Sequence, residues 1–223
     1  MQHAALFPTL PTRPTRPARP ALAALAATVA LGACAPAEPA AEPISEPFSL
    51  TSSAFVESGV IPVRYSGDGD NVSPPLSWRG APSGTRSFAL VLVDPDVPWG
   101  QTVPVYGEMP PPGTQPADFF IHWIAIDIPP TVTSLPDGAS PGNMPAGVIE
   151  PANSFGLFGG EPNQYGGPAP PPQTKAHAYR FVLYALDVDA VPGVSAESDF
   201  AAVTQAMAGH VLAATTLTGY FGH

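Results

Sequence analysis

A mainly β fold, a sandwich or barrel of largely antiparallel sheet, is what this sequence predicts, and three observations predict it. The 223 residues include 32 prolines and 21 glycines, which interrupt long helices because proline lacks a backbone donor and glycine loses the most entropy on ordering. Between these breakers stand short apolar runs of strand length. Only one stretch, near the C-terminus, carries a helical stripe.

Residues 1–20 are proline-rich, with Arg13, Arg16 and Arg19 and no acid, and lead into the apolar run Ala21–Ala30 and then Leu31-Gly32-Ala33-Cys34. A basic region, about ten apolar residues and small residues before a cut site make residues 1–33 a secretory signal. The run is shorter than the roughly 20 apolar residues that span a bilayer. Leu-Gly-Ala-Cys resembles the lipobox of bacterial lipoproteins, which implies a lipidated Cys34 at the mature N-terminus. The alternative is an ordinary signal with an incidental cysteine, but an unpaired thiol in an exported protein invites oxidation. Residues 34–47, rich in Ala, Pro and Glu, form an extended tether. The expected location is the cell envelope, lipid-anchored at the periplasmic face of a membrane or free in the periplasm.

The remainder, 48–223, is 223 − 47 = 176 residues, enough for one domain with a substantial core. After Cys34, 5 basic residues stand against 18 acidic ones, a formal charge of 5 − 18 = −13. Nucleic acid is excluded as a partner, since phosphate backbones need a basic surface. A bound anion has to be held by a local site against the overall field.

Strands are expected at Phe48–Thr51, Val60–Tyr65, Phe88–Asp94, Phe119–Ile128 and His177–Val188. Phe119–Ile128 is apolar on both faces and reads as a central strand. A helix is expected over Asp199–Ala208, with Ser198 as N-cap, Gly209 after it, and Phe200, Val203 and Met207 docking on the sheet. The loop Gln101–Asp118 holds five prolines and is long enough to be a functional flap.

Period-two alternation puts Asp94 on the face of Phe88, Leu90 and Leu92. A carboxylate ending an apolar row needs a partner or an opening to water, or it caps a turn before proline. Asp94-Pro95-Asp96-Val97-Pro98 makes a stiff, charged rim. By the same alternation His122 shares a face with Phe120, Ile124 and Ile126, and His177 with Tyr179, Phe181 and Leu183. Each histidine is either a hydrogen-bonded core residue or a ligand contact. The Gly166-Gly167 pair and the prolines after it form a rigid loop with backbone N–H groups of the kind that wrap anions. No nucleophile elbow, second cysteine or His-x-x-x-His spacing occurs, so no catalytic residue, metal site or cofactor is expected.

Five motifs occur in order: Asn71-Val72-Ser73-Pro74-Pro75-Leu76-Ser77-Trp78, Asp94-Pro95-Asp96-Val97-Pro98, His122-Trp123, Asn153-Ser154-Phe155-Gly156 and Tyr165-Gly166-Gly167-Pro168-Ala169-Pro170-Pro171-Pro172. Together with Ala206–Ala213 they resemble the phosphatidylethanolamine-binding protein family, in its bacterial Raf-kinase-inhibitor-like branch, over roughly Phe48 to Tyr220. The resemblance implies an antiparallel β-sandwich with a short C-terminal helix and an anion pocket at one end. It implies ligand contacts from Asp94, Asp96, Pro98, His122, Ala169, Pro171, His177 and Tyr179. The family's arginine after the second histidine is Ala178 here, which deprives Asp96 of its expected partner unless Arg180, two residues on, reaches back. A cysteine common in the branch's Gly-Pro loop is Ala169. The function expected is binding of phosphate-bearing small molecules or phospholipid headgroups. The alternatives are inhibition of a protease or other enzyme through the Gln101–Asp118 surface and, further off, a metal protein or enzyme.

Overall fold

The computed structural model describes residues 46–96, 119–172 and 174–223. The signal, Cys34, most of the tether, Pro98 and the Gln101–Asp118 flap lie outside the described residues. Pro43–His223 forms one compact unit. Among the described residues the strands are β1 (Ser49–Ser52), β2 (Gly59–Val60), β3 (Leu76–Arg79), β4 (Ser87–Asp94), β5 (Phe120–Ile128), β6 (Ser134–Leu135), β7 (His177–Leu186) and β8 (Val211–Phe221), with one α-helix, α1 (Phe200–Met207), before β8.

Two sheets form a sandwich. The smaller runs β1-β3-β6 and the larger β2-β8-β7-β4-β5, antiparallel throughout except for the short β2–β8 pair. The alternation of β4 and β7 divides their side chains between two cores. Phe88, Leu90, Leu92, Tyr179, Phe181 and Leu183 pack between the sheets with Leu50, Leu76 and Trp78. Val91, Val93, Val182 and Tyr184 pack on the other face against Phe200, Val203 and Met207 of α1. The sheet is therefore covered on both sides, and β4 and β7 are apolar on both faces for that reason.

Four expectations need correction. Val60–Tyr65 is not one strand: β2 ends at Val60, and Val63–Tyr65 is a turn of 3-10 helix that follows Pro62. The β5 segment is apolar on both faces but lies at the edge of the larger sheet, with β4 and β7 in the interior; burial on two faces does not require two strand neighbours. On α1 the cap is Asp199, whose carboxylate accepts the Ala202 N–H at 2.8 Å. Ser198 Oγ accepts the Ser195 N–H instead.

The fourth correction is the one that builds the site. Pairing of β4 with β5 shifts register by one residue between Leu92 and Val93, which face Trp123 and Ile121. The extra residue in β5 is a bulge, and a bulge re-aims the side chains on one side of it. Ile124 and Ile126 consequently lie in the helix-side core. His122 lies beside Tyr179, with ring centroids 5.2 Å apart, on the face opposite those isoleucines. Strict alternation would have placed all three together.

Candidate functional site

Because β4 is antiparallel to both β5 and β7, the end of β4 and the beginnings of its two neighbours meet at one end of the larger sheet. Asp94 terminates β4, His122 is near the start of β5, and His177 opens β7. All three are buried, at 3%, 4% and 3% exposure. They line a cavity of about 150 Å³ with Ala169, Pro171 and Tyr179, and its remaining wall is Phe120, Phe155 and Pro170. Six of the eight ligand contacts expected from the sequence thus converge. Asp96 stands just outside, and Pro98 is outside the described residues. The aromatic wall was missed, although Phe155 belongs to the Asn-Ser-Phe-Gly motif.

Each polar group is held from behind. The Asp94 carboxylate accepts His177 Nδ1 at 2.7 Å and the Asp96 N–H at 2.8 Å. Nδ1 of His122 donates to the Gly166 carbonyl at 2.8 Å. Burial pushes the His122 imidazole below its ordinary pKa; Asp94 and the carbonyls of Gly166 and Gly167 oppose this without reversing it. The Tyr179 hydroxyl is fully buried beside the Asp94 carboxylate and the Ala169 backbone N–H, and makes no well-formed hydrogen bond among the described residues. Burial, then Asp94, hold it far above the usual phenol range, so it stays an O–H donor at any working pH.

The Gly-Pro wall is fixed by side chains distant in sequence. Asn71 Oδ1 accepts the Gly167 N–H at 2.7 Å, Tyr165 Oη donates to the Tyr65 carbonyl at 2.6 Å, and the Gly67 N–H donates to the Pro168 carbonyl at 2.8 Å. Asn153 clamps three pieces: its amide donates to the carbonyls of His122 and Gln164 and its oxygen accepts the Phe155 N–H. Half-buried Glu150 accepts from Trp123 Nε1 and Ser140 Oγ, both at 2.6 Å. The loop's N–H groups at Gly166 and Gly167 are already committed, to His122 and Asn71, whereas that of Ala169 lies against the Tyr179 hydroxyl.

Asp96 does have a cation, but from an unexpected position. Lys175 Nζ lies 2.7 Å from Oδ1, and the Ala178 N–H donates to Oδ2 at 2.9 Å. Burial raises this carboxyl, yet Lys175, Ala178 and His177 together hold it below the usual aspartate value. A depressed carboxylate stabilises the fold above its ordinary pKa near 4, and that contribution is lost as pH falls through the depressed value. The place expected of Arg180 is taken by Lys175, on the loop before β7.

Residues 51–222 match the family described as phosphatidylethanolamine-binding protein. A protein of Methanothermobacter thermautotrophicus is 38% identical over 176 residues, covering 78% of this chain and 97% of its own. A Mycobacterium tuberculosis protein named as a lipoprotein, LppC, is 35% identical over 179 residues, covering 79% of this chain and 75% of its own. Among solved structures, YbcL of Escherichia coli, described as a member of the mammalian PEBP family, superposes with a TM-score of 0.65 at 29% identity over 79% of this chain and 98% of that one.

Proposed function

The chain belongs to the phosphatidylethanolamine-binding protein family, and from that premise we propose that it is an exported, lipid-anchored protein whose cavity holds the phosphate of a small molecule or a phospholipid headgroup. One observation carries the reading. Two buried imidazoles and the Tyr179 hydroxyl converge on a cavity the size of one small polar group, and the hydroxyl makes no well-formed hydrogen bond among the described residues. A buried hydroxyl without a hydrogen bond costs about 1–3 kcal/mol, a cost relieved by an acceptor entering the cavity. Asp94 serves here as the group that orients His177, and Phe120 and Phe155 exclude water.

Calorimetric titration of the full chain with inorganic phosphate and with O-phosphorylethanolamine tests this. Saturable binding is expected, strengthening as pH falls below the ordinary imidazole value near 6.5, because burial holds His122 under it, and lost in a His122→Ala/His177→Ala double variant that keeps its circular dichroism. Affinity that stays flat from mildly acidic to mildly basic pH would argue against a histidine-based site. The anchor rests on the Leu31–Cys34 motif and on the relative named as a lipoprotein. Cys34→Ser is expected to move the protein from the membrane fraction to the soluble one; a Ser variant that still sediments with membranes would remove the anchor from the reading.

A further inference from the structure

A second cavity lies across β5 from the first. It has a volume of about 300 Å³, twice the 150 Å³ of the anion cavity, and its apolar wall is Ile121, Ala152, Leu157 and Phe200. The polar side chains in that wall are spent on nearby backbone groups. Ser154 Oγ accepts the Ile121 N–H at 3.0 Å, the Asn153 amide donates to the His122 and Gln164 carbonyls, and Asp199 caps α1. What remains for an occupant is apolar surface, in a volume at the lower end of the roughly 300–1,000 Å³ of small-molecule sites.

The two cavities are neighbours around the outer edge of β5. Consecutive residues part between them: Phe120 and His122 line the anion cavity and Ile121 the second, while Phe155 lines the first and Gly156 and Leu157 the second. The surface that joins them is apolar. The Phe120 ring meets Phe155 edge-on, with centroids 4.9 Å apart, and stacks with Phe158 at 6.0 Å. Leu157 and Phe158 are 73% and 68% exposed. The turn that carries them, Ser154–Phe158, is fixed at both ends, because Asn153 Oδ1 accepts the Phe155 N–H and the Gly160 N–H donates to the Phe155 carbonyl, each at 3.0 Å. Adjacent large apolar side chains held out on a fixed turn beside a cavity mark a contact surface.

We propose that the second cavity takes the alkyl chain of a ligand whose phosphate occupies the first, the chain crossing the Phe120, Phe155 and Phe158 rings on its way. The ligand class is a phosphate head, monoester or diester, with one alkyl chain: an alkyl phosphate or a single-chain phospholipid. This rests on the reading of the His122–His177 cavity as an anion site and adds the part of the ligand that the histidines do not read. A single apolar cavity of this size matches one chain. The head is held by charge and hydrogen bonds, and the chain contributes affinity in proportion to the methylenes it removes from water. A free small phosphate fills only the first half of the site and leaves the aromatic strip wet.

Alkyl length is the variable that tests this. The intact protein is titrated calorimetrically with methyl, butyl and octyl phosphate, and with O-phosphorylethanolamine against octanoyl lysophosphatidylethanolamine, all below their micellar concentrations. Octyl phosphate is expected to bind at least about a hundredfold more tightly than methyl phosphate, since each buried methylene adds about fourfold. A gain for either head supports the inference, and the head that binds more tightly names the source of the ligand. Ala152→Leu, which fills the second cavity, and Leu157→Asn, at an exposed position, should each cut the octyl-to-methyl ratio by at least about tenfold. Methyl and octyl phosphate binding alike overturns the inference and leaves the anion pocket standing, and so does a ratio unchanged in both variants. Binding to phosphatidylethanolamine vesicles with no gain for monomeric octyl phosphate overturns it in favour of a membrane-docking face. Silence from every phosphate overturns the pocket reading itself and this inference with it.

Discussion

Gly167→Ala is expected to lower stability by about 3 kcal/mol and to abolish anion binding, although the residue touches no ligand. A Cβ built at Gly167 would lie 2.3 Å from the Tyr65 carbonyl oxygen, 2.8 Å from Ser66 Cα and 2.9 Å from Asn71 Oδ1. Two of these are backbone atoms, held by the Tyr165–Tyr65 and Gly67–Pro168 hydrogen bonds, so the strain is not relieved by rotating a side chain. Overpacking of this kind costs about 1–3 kcal/mol, and losing the Gly167–Asn71 bond adds about 1 more. The displaced segment carries Gly166, whose carbonyl orients His122, and Ala169 and Pro171, which wall the cavity. Urea unfolding and phosphate titration measure the two effects. A variant within 1 kcal/mol of the parent that still binds would show the loop to be far more compliant than its hydrogen bonds imply.

Asp94→Asn should weaken phosphate binding at pH 6 by about a hundredfold or more while the fold survives. With a bound anion, His177 Nδ1 and the Asp94 carboxylate, 2.7 Å apart and each 4% exposed in its side chain, form a buried pair across from the ligand. Removing one member of such a pair costs about 3–5 kcal/mol, which is more than two decades in affinity. The amide has one accepting oxygen where two donors, His177 Nδ1 and the Asp96 N–H, now converge. Calorimetry on a variant with parental circular dichroism gives the comparison. Unchanged affinity would reduce Asp94 to a cap on the turn before Pro95.

Much of this site was legible from residue order, and the illegible part has a physical cause. Asp94, His177 and Tyr179 follow from alternation, because β4 and β7 pair without a shift from Ser87 to Val93. His122 does not, since alternation aligns it with Ile124 and Ile126 and only the resemblance to a family placed it in the pocket. A bulge is a property of the pairing, set by two strands together, and one strand's sequence does not display it. β8 was overlooked for another reason. Its Ala213-Ala214-Thr215-Thr216 centre is small and half-buried, without the apolar contrast that marks a strand. Lys175 was missed as the partner of Asp96 because strand reasoning looks two residues along β7, whereas the cation comes from the loop before it.

That same bulge has an engineering consequence. It behaves as a phase change along β5: Ile121 and the residues from Trp123 onward answer to the two cores, while Phe120 and His122 answer to the cavity. The ligand site can therefore be retuned at Phe120 without repacking the domain, and the core can be redesigned from Ile124 to Ile128 without moving the imidazole. Deleting Ile121 would do what no substitution in the pocket does, moving His122 into the vacated helix-side slot opposite Val93 while leaving every pocket residue in the sequence.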